Sequence, residues 1–290
     1  MASKYLGREG APISAAVWEK LDATMIEAAK SQLVGRRLLA IEGPFGLGLK
    51  FVPLDDMIVS FGWEEMQGKG AEKAEDSAEA LLGMEPEIVA SPVLPLALVR
   101  HGFALGVRDL AAFERDGVAL DLAGVAEAAI ACAHAEDELI FRGSVDLGVS
   151  GLMNVEDSHS LKLGAWTKVG HAADDVIKAV TLLDGADFHG PYSLALAPGR
   201  YNQLYRMYPQ GSMTELAHLQ TIITGGIFKA PVAKEGGVLL ASGAQFASIV
   251  LGQDMALGFV GPSDGDLEFS ITESLALHVR QPGSVCALQG

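Results

Sequence analysis

The stretch Ala135-Glu136-Asp137-Glu138-Leu139-Ile140-Phe141-Arg142-Gly143 closes the most regular helical pattern in the chain. Upstream of it Leu122, Val125, Ala126, Ala129, Ile130 and Ala133 fall at i, i+3, i+4, i+7, i+8 and i+11, behind Asp121 as a capping residue. The spacing predicts a helix from Asp121 to Glu138 whose small alanines let a sheet or a second helix approach closely, with Gly143 ending the run. His134, Asp137 and Glu138 stand at spacings where side chains on one helix face meet, which is the pattern a metal would need. A solvated helix end accounts for His134, Glu136, Asp137 and Glu138 more simply, and is the expectation here.

Working outward, Ser14 can cap a second helix in which Trp18, Leu21, Met25, Ala29 and Leu33 form one apolar stripe up to a glycine stop at Gly35. From Asp55 to about Pro92 the charged residues Glu64, Glu65, Lys69, Glu72, Lys73, Glu75, Asp76 and Glu79 crowd a stretch without regular apolar spacing. Alone, such a segment buries too little to offset about 1–2 kcal/mol of backbone entropy per residue, so it is expected to contact a neighbouring subunit. Residues 172–183 read as a helix, 192–197 as a strand and 201–208 as a short helix, and 213–223 carries no clear period. Near the C-terminus Leu267, Phe269, Ile271, Leu275, Leu277 and Val279 alternate as one face of a long strand, with Glu273 the exception. Residues 248–251 and 255–259, split by Gly252-Gln253-Asp254, look like its hairpin neighbours. Helices and strands intersperse without βαβ regularity, so the class is α+β.

Composition narrows the function. The 37 acidic against 21 basic residues leave a formal charge of −16, which repels a phosphate backbone and argues against nucleic-acid binding. The two cysteines, Cys132 and Cys286, form neither a CxxC pair nor a disulfide framework, so buried thiols in a reducing cytoplasm are expected. The N-terminus carries no apolar core of signal-peptide length, and no apolar run reaches membrane-spanning length, so no membrane association is expected.

Motifs for catalysis do not assemble. Gly43-Pro44-Phe45-Gly46-Leu47-Gly48-Leu49-Lys50 lacks the Gly-Lys-Ser/Thr end of a phosphate loop and reads as a turn between strands. His171, Asp174 and Asp175 suit a first helical turn through the helix dipole alone. Ser150 lacks the strand-turn-helix context of a hydrolase nucleophile. No catalytic residue, cofactor or metal site is therefore assigned.

Five segments in register carry a resemblance: Ser31-Gln32-Leu33-Val34-Gly35-Arg36-Arg37, Glu42-Gly43-Pro44-Phe45-Gly46, the helix end 135–143, Gly190-Pro191-Tyr192-Ser193-Leu194, and Leu251-Gly252-Gln253-Asp254-Met255-Ala256-Leu257-Gly258 leading to Ile271-Thr272-Glu273-Ser274. Together they resemble encapsulin shell proteins over nearly the whole chain. The resemblance implies a phage major-capsid-like fold of the Hong Kong 97 type. Its parts would be a lumenal helix and the start of a peripheral domain (1–54), an extended loop (55–92), the peripheral domain with its spine helix (93–142), an axial domain (143–228), and a return to the peripheral domain (229–290).

The family resemblance also implies partners. Copies would close into an icosahedral homo-oligomeric shell in the cytoplasm. Cargo enzyme, ferritin-like for iron storage or a dye-decolorising peroxidase, would dock a short C-terminal targeting peptide in a lumenal groove. The matching groove positions are Arg36, Met255, Leu257 and Phe259, with Trp18 and Met25 as further contributors. Arg36 would orient a polar or carboxylate group, or else serve in a structural salt bridge. Tyr208, Pro209, Gln210, Gly211 and Ser212 match the five-fold pore loop. Some members bind flavin through a tryptophan near the spine helix, and residues 103–115 hold none here. A prophage capsid protein packaging DNA and a soluble enzyme are the rival readings.

Overall fold

Val17, Leu21, Met25 and Ala29 place one buried stripe along helix α1, Ala15–Gln32, and Leu33 caps it. These elements are seen in a computed structural model that describes residues 2–54, 92–209 and 211–290. Gly35 does not stop α1; it opens a short helix, α2 (Gly35–Leu38). The glycine answers a close side-chain approach rather than a turn. A Cβ there would lie 2.5 Å from Ile140 Cδ1 and 3.2 Å from Asp137 Oδ1.

The chain continues through β1 (Ala40–Glu42), β2 (Phe51–Pro53), β3 (Val93–Pro95), β4 (Ala97–Gly106) and α3 (Val107–Asp116) to the long helix α4 (Ala123–Arg142). Asp121 accepts the backbone N–H of Ala123 at 2.9 Å, and Gly143 ends α4 at a φ of 73°. Then follow β5 (Gly143–Ser144), β6 (Val149–Ser150), β7 (His159–Lys162), α5 (His171–Asp184), β8 (Tyr192–Leu196), α6 (Pro198–Gln203) and α7 (Glu215–Leu219). The helix expected over 201–208 begins earlier because Pro198 supplies a pre-set first-turn residue. The C-terminal part holds β9 (Gly226–Lys229), β10 (Gly237–Ala241), β11 (Ala247–Ser263), β12 (Asp266–Val279) and β13 (Val285–Gln289).

Two sheets organise the larger of two units, residues 1–50 and 96–290. The first runs β1-β11-β12-β4, with β1 parallel to β11 and the rest antiparallel. The strands expected at 248–251 and 255–259 are one continuous strand. Gly252-Gln253-Asp254 is no turn: the register with β12 slips between Leu251 and Gln253, between Gln253 and Ala256, and between Phe259 and Gly261. Gln253 bridges the first irregularity, its N–H donating to Ser274 Oγ at 2.9 Å and its amide to Thr272 Oγ1 at 3.0 Å. Helices α1 and α4 pack on this sheet through Leu21, Met25, Val125, Ala129, Leu257 and Phe269.

The second sheet runs β7-β13-β10-β8-β9 and carries α5 through Val176, Ala179 and Leu183. Strands β10 and β13 pair within this sheet, β10 with β8 and β13 with both β10 and β7. A boundary after residue 228 therefore does not separate the sheets, because the apolar runs 237–241 and 285–289 supply the inner strands that β8 lacks.

The smaller unit is Phe51–Pro95, in which β2 and β3 pair antiparallel, Phe51 opposite Pro95. Leu54 donates to the Pro92 carbonyl at 3.1 Å, closing the ladder. Apart from Pro92, the extended loop expected at 55–92 lies outside the described residues.

Candidate functional site

Glu136 and Asp137, expected in solvent, are buried at 0% and 1% exposure. The helix runs on for another turn to Arg142, and its last two turns pass beneath the α1–α2 junction. Asp137 accepts the backbone N–H groups of Val34, at 2.9 Å, and Gly35, at 2.8 Å, which α2 leaves without helical partners. Burial pushes its carboxyl up to about 6, against the lowering effect of those two N–H groups.

Arg36 is the hub of this region. Its Nε donates to Glu136 at 2.8 Å and its Nη2 at 2.9 Å, a two-pronged pair, while Nη1 reaches Asp254 at 2.8 Å and Nη2 also meets Glu273. Burial alone would lower the guanidinium pKa; the Glu136 hydrogen bonds and the charges of Glu136 and Glu273 outweigh it and hold the group above its ordinary value. Glu273 is fully buried, and its carboxyl is pushed up to about 9, first by burial and then by the charge of Glu136. One cation thus holds two buried carboxyl groups and one half-exposed one, tying α2, α4, β11 and β12 together. Arg36 makes the structural salt bridge that is one of its two expected roles. Among the described residues no group of three or more His, Cys, Asp or Glu is arranged to hold a metal ion.

The remaining groove residues gather along one face of β11. Met25 is 5% exposed and Leu257 0%, so both lie in the core under the strand. Trp18, Met255 and Phe259 are half-buried on the same cluster. Trp18 meets Phe269 edge-on at 5.7 Å between ring centroids, and Phe259 packs on Phe269 at 5.6 Å. The chain's first residues reach this face too. A Cβ on Gly7 would lie 2.7 Å from the Phe259 carbonyl, and Arg8 sits over the Trp18 ring at 4.0 Å while pairing with Asp22 at 2.7 Å. Arg36 joins this face through Asp254, the neighbour of Met255.

The loop at 207–214 is closed by a Met207–Thr214 bridge, by Tyr208 N–H donating to the Met213 carbonyl at 3.1 Å, and by Tyr208 Oη against His218 Nδ1 at 2.9 Å. Pro209, Gly211 and Ser212 are exposed at its tip, and Gln210 lies outside the described residues. Beneath it, fully buried Glu215 accepts the N–H groups of Gly170 and Ala173 at the start of α5. Asp175 is not a loose first-turn acid. It is buried, it accepts Gly164 N–H, Trp166 Nε1 and Lys178 Nζ, and these bonds hold its pKa below the usual carboxylate value although burial opposes them.

Sequence reasoning missed Glu136, Asp254 and Glu273 as a unit around Arg36, and Asp137 as the acceptor of the Val34 and Gly35 N–H groups. The signal was the lone acid in an otherwise apolar alternation, Glu273, together with acids at the end of an apolar helix. A charge on a core face implies a partner, and Arg36 is the cation that meets it.

A family model described as an encapsulating protein for peroxidase matches residues 3–276. The type 1 encapsulin shell protein EncA of Myxococcus xanthus is 30% identical over 288 residues, 99% of this chain and 96% of that protein. A ferritin-like-encapsulin shell fusion protein of Pyrococcus furiosus is 25% identical over 203 residues, 70% of this chain and 55% of the fusion. Among solved structures, the virus-like particle from Pyrococcus furiosus is similar with a TM-score of 0.69 at 20% identity, over 93% of this chain and 98% of that one. The capsid of Myoviridae phage XM1 gives 0.51 at 14% identity, over 68% and 74%. These two establish the fold alone, that of phage capsid proteins. Among the described residues no helix is long and apolar enough to cross a membrane.

Proposed function

Because the chain belongs to the family of encapsulating proteins that includes the type 1 encapsulin shells, we propose that its copies close into an icosahedral shell in the cytoplasm and enclose a cargo enzyme. The observation that carries this reading is the extent of the family match, 3–276, which takes in strands of both sheets rather than one motif. The shell itself performs no catalysis; it confines the cargo and filters what reaches it. A peroxidase or a ferritin-like iron oxidase fits the names its relatives bear, and iron storage follows in the second case.

The targeting peptide of the cargo would lie over Trp18, Met255 and Phe259, with buried Met25 and Leu257 as the floor. Arg36 contributes indirectly, holding Asp254 beside Met255 rather than receiving a peptide carboxylate itself. The exposed tip Pro209, Gly211 and Ser212, with Gln210 between them, would line the pore where five copies meet, and the bonds of Tyr208 would keep the tip in one shape. Small ions pass such an opening and proteins do not.

The test is size-exclusion chromatography with negative-stain microscopy of the protein expressed alone, then with its cargo. Uniform hollow spheres that retain cargo are expected. A monomer or small oligomer across salt and pH would sink the shell reading, and nuclease-protected DNA inside the particles would replace it with a capsid that packages a genome.

A further inference from the structure

The end of α1, helix α6 and strand β9 line an open cleft of about 340 Å³, at the small end of the range for ligand pockets. Its chemistry differs from the rest of this acidic chain. Arg37 sits over the Phe228 ring at 5.5 Å and Lys229 over the Tyr201 ring at 5.2 Å, and Tyr205, 56% exposed, meets Tyr201 edge-on at 5.8 Å. Arg37 Nε is fixed by the Leu33 carbonyl at 3.0 Å, which aims the guanidinium and leaves both terminal nitrogens without a hydrogen-bond acceptor among the described residues.

Neither cation has a carboxylate within 4.0 Å among the described residues. Asp137, whose charge and that of Arg37 influence each other, has its oxygens engaged by the Val34 and Gly35 N–H groups. Two cations on aromatic rings around a concavity, without a carboxylate partner among the described residues, form a recognisable donor set. A guanidinium with free nitrogens suits a phosphate or carboxylate, and the exposed Tyr205 face suits a flat ring.

We propose that this cleft binds a planar aromatic anion of mononucleotide size, its phosphate between Arg37 and Lys229 and its ring on Tyr205. The site is separate from the β11 face assigned above to cargo, and it does not depend on what the shell contains. An adenine nucleotide and a flavin phosphate share this chemistry.

Isothermal titration of assembled particles with AMP, riboflavin 5′-phosphate, adenosine, riboflavin and inorganic phosphate tests it. At least one phosphate-bearing ring compound should bind with a Kd below about 1 mM, and at least roughly tenfold tighter than its unphosphorylated parent and than phosphate alone. Which of the two binds identifies the source. Arg37→Ala and Lys229→Ala should each weaken that binding by roughly tenfold, and Tyr205→Ala should weaken it without changing the response to phosphate. Lys162→Ala, on β7 at the opposite edge of the same sheet, should bind as the parent protein does. Particle formation, scored by microscopy, shows that the variants fold; Tyr205→Ala alters an exposed side chain and remains a test if either cation variant fails to assemble. Absence of saturable binding, equal affinity for the unphosphorylated parents, or unchanged affinity in variants that assemble would overturn the proposal.

Discussion

Arg36 and Glu273 are 237 positions apart in the chain, yet the guanidinium of one donates to the buried carboxyl of the other. The same guanidinium forks onto Glu136, so removing it strands the buried carboxyl groups of Glu136 and Glu273 rather than deleting a surface contact. Breaking such a buried pair from one side typically costs about 3–5 kcal/mol, against about 0–1 for an exposed one. Arg36→Ala should therefore lower the urea midpoint sharply. Arg36→Lys keeps the charge and loses the fork, so it should fall between the two. A change of under about 0.5 kcal/mol in Arg36→Ala, the range of ordinary surface substitutions, would contradict this account.

Glu273 gives that cluster a pH dependence with a definite sign. Burial, and then the charge of Glu136, pushes its carboxyl from an ordinary 4.5 up to about 9, so between those values the folded state holds a proton that the unfolded state has released. Its contribution is complete below about pH 4.5 and is lost as pH rises towards about 9. Asp137 acts in the same direction over the narrower window from 3.8 to about 6. Glu273→Gln, which mimics the protonated form, should flatten the alkaline limb of a stability-versus-pH curve and change little near its acid end. Parallel curves for the two proteins between pH 6 and 9 would show that Glu273 is not the titrating group.

Gly35 sits against the Ile140 side chain, which gives a direct test. A methyl group placed there would meet Ile140 Cδ1 at 2.5 Å inside a filled core. Gly35→Ala should destabilise by about 1–3 kcal/mol, as overpacking does, despite the better helix propensity of alanine. Trimming the neighbour as well, in Gly35→Ala with Ile140→Val, should recover part of the loss. Chemical denaturation of the single and double variants decides the point.

The apolar periodicities were the legible part of the fold. Val125, Ala129 and Ala133 lie on the buried face of α4, and the alternation from Leu267 to Val279 became β12, because each pattern reports a face against a core. Gly252-Gln253-Asp254 misled because bulge and turn draw on the same residues; only the side-chain bonds of Gln253 across to β12 distinguish them. Glu136 and Asp137 misled for a different reason. Acids at a helix end suggest solvent until a cation and two free N–H groups arrive from a hundred residues away, and that proximity is tertiary information. The groove positions fell on one face of β11, but how far each is covered depends on α1 and the first ten residues, which periodicity alone does not report.

Those first residues lead to the remaining prediction. Residues 2–10 run against β11 where the Gly7 and Phe259 backbones touch, and the Arg8 guanidinium covers the Trp18 ring that the cargo peptide is proposed to use. The cover is held by the Arg8–Asp22 pair, whose side chains are 26% and 34% exposed, and by one cation–ring contact, terms of about 0–1 kcal/mol each. A contact that weak yields to a competing peptide but still opposes it. Arg8→Ala should therefore tighten binding of the cargo's targeting peptide by up to roughly tenfold, while Phe259→Ala should weaken it and leave the shell assembled. Fluorescence anisotropy of the labelled peptide on disassembled subunits, with cargo retention in whole particles alongside, measures both. Weaker binding in Arg8→Ala would make the N-terminal segment a wall of the groove instead of its competitor.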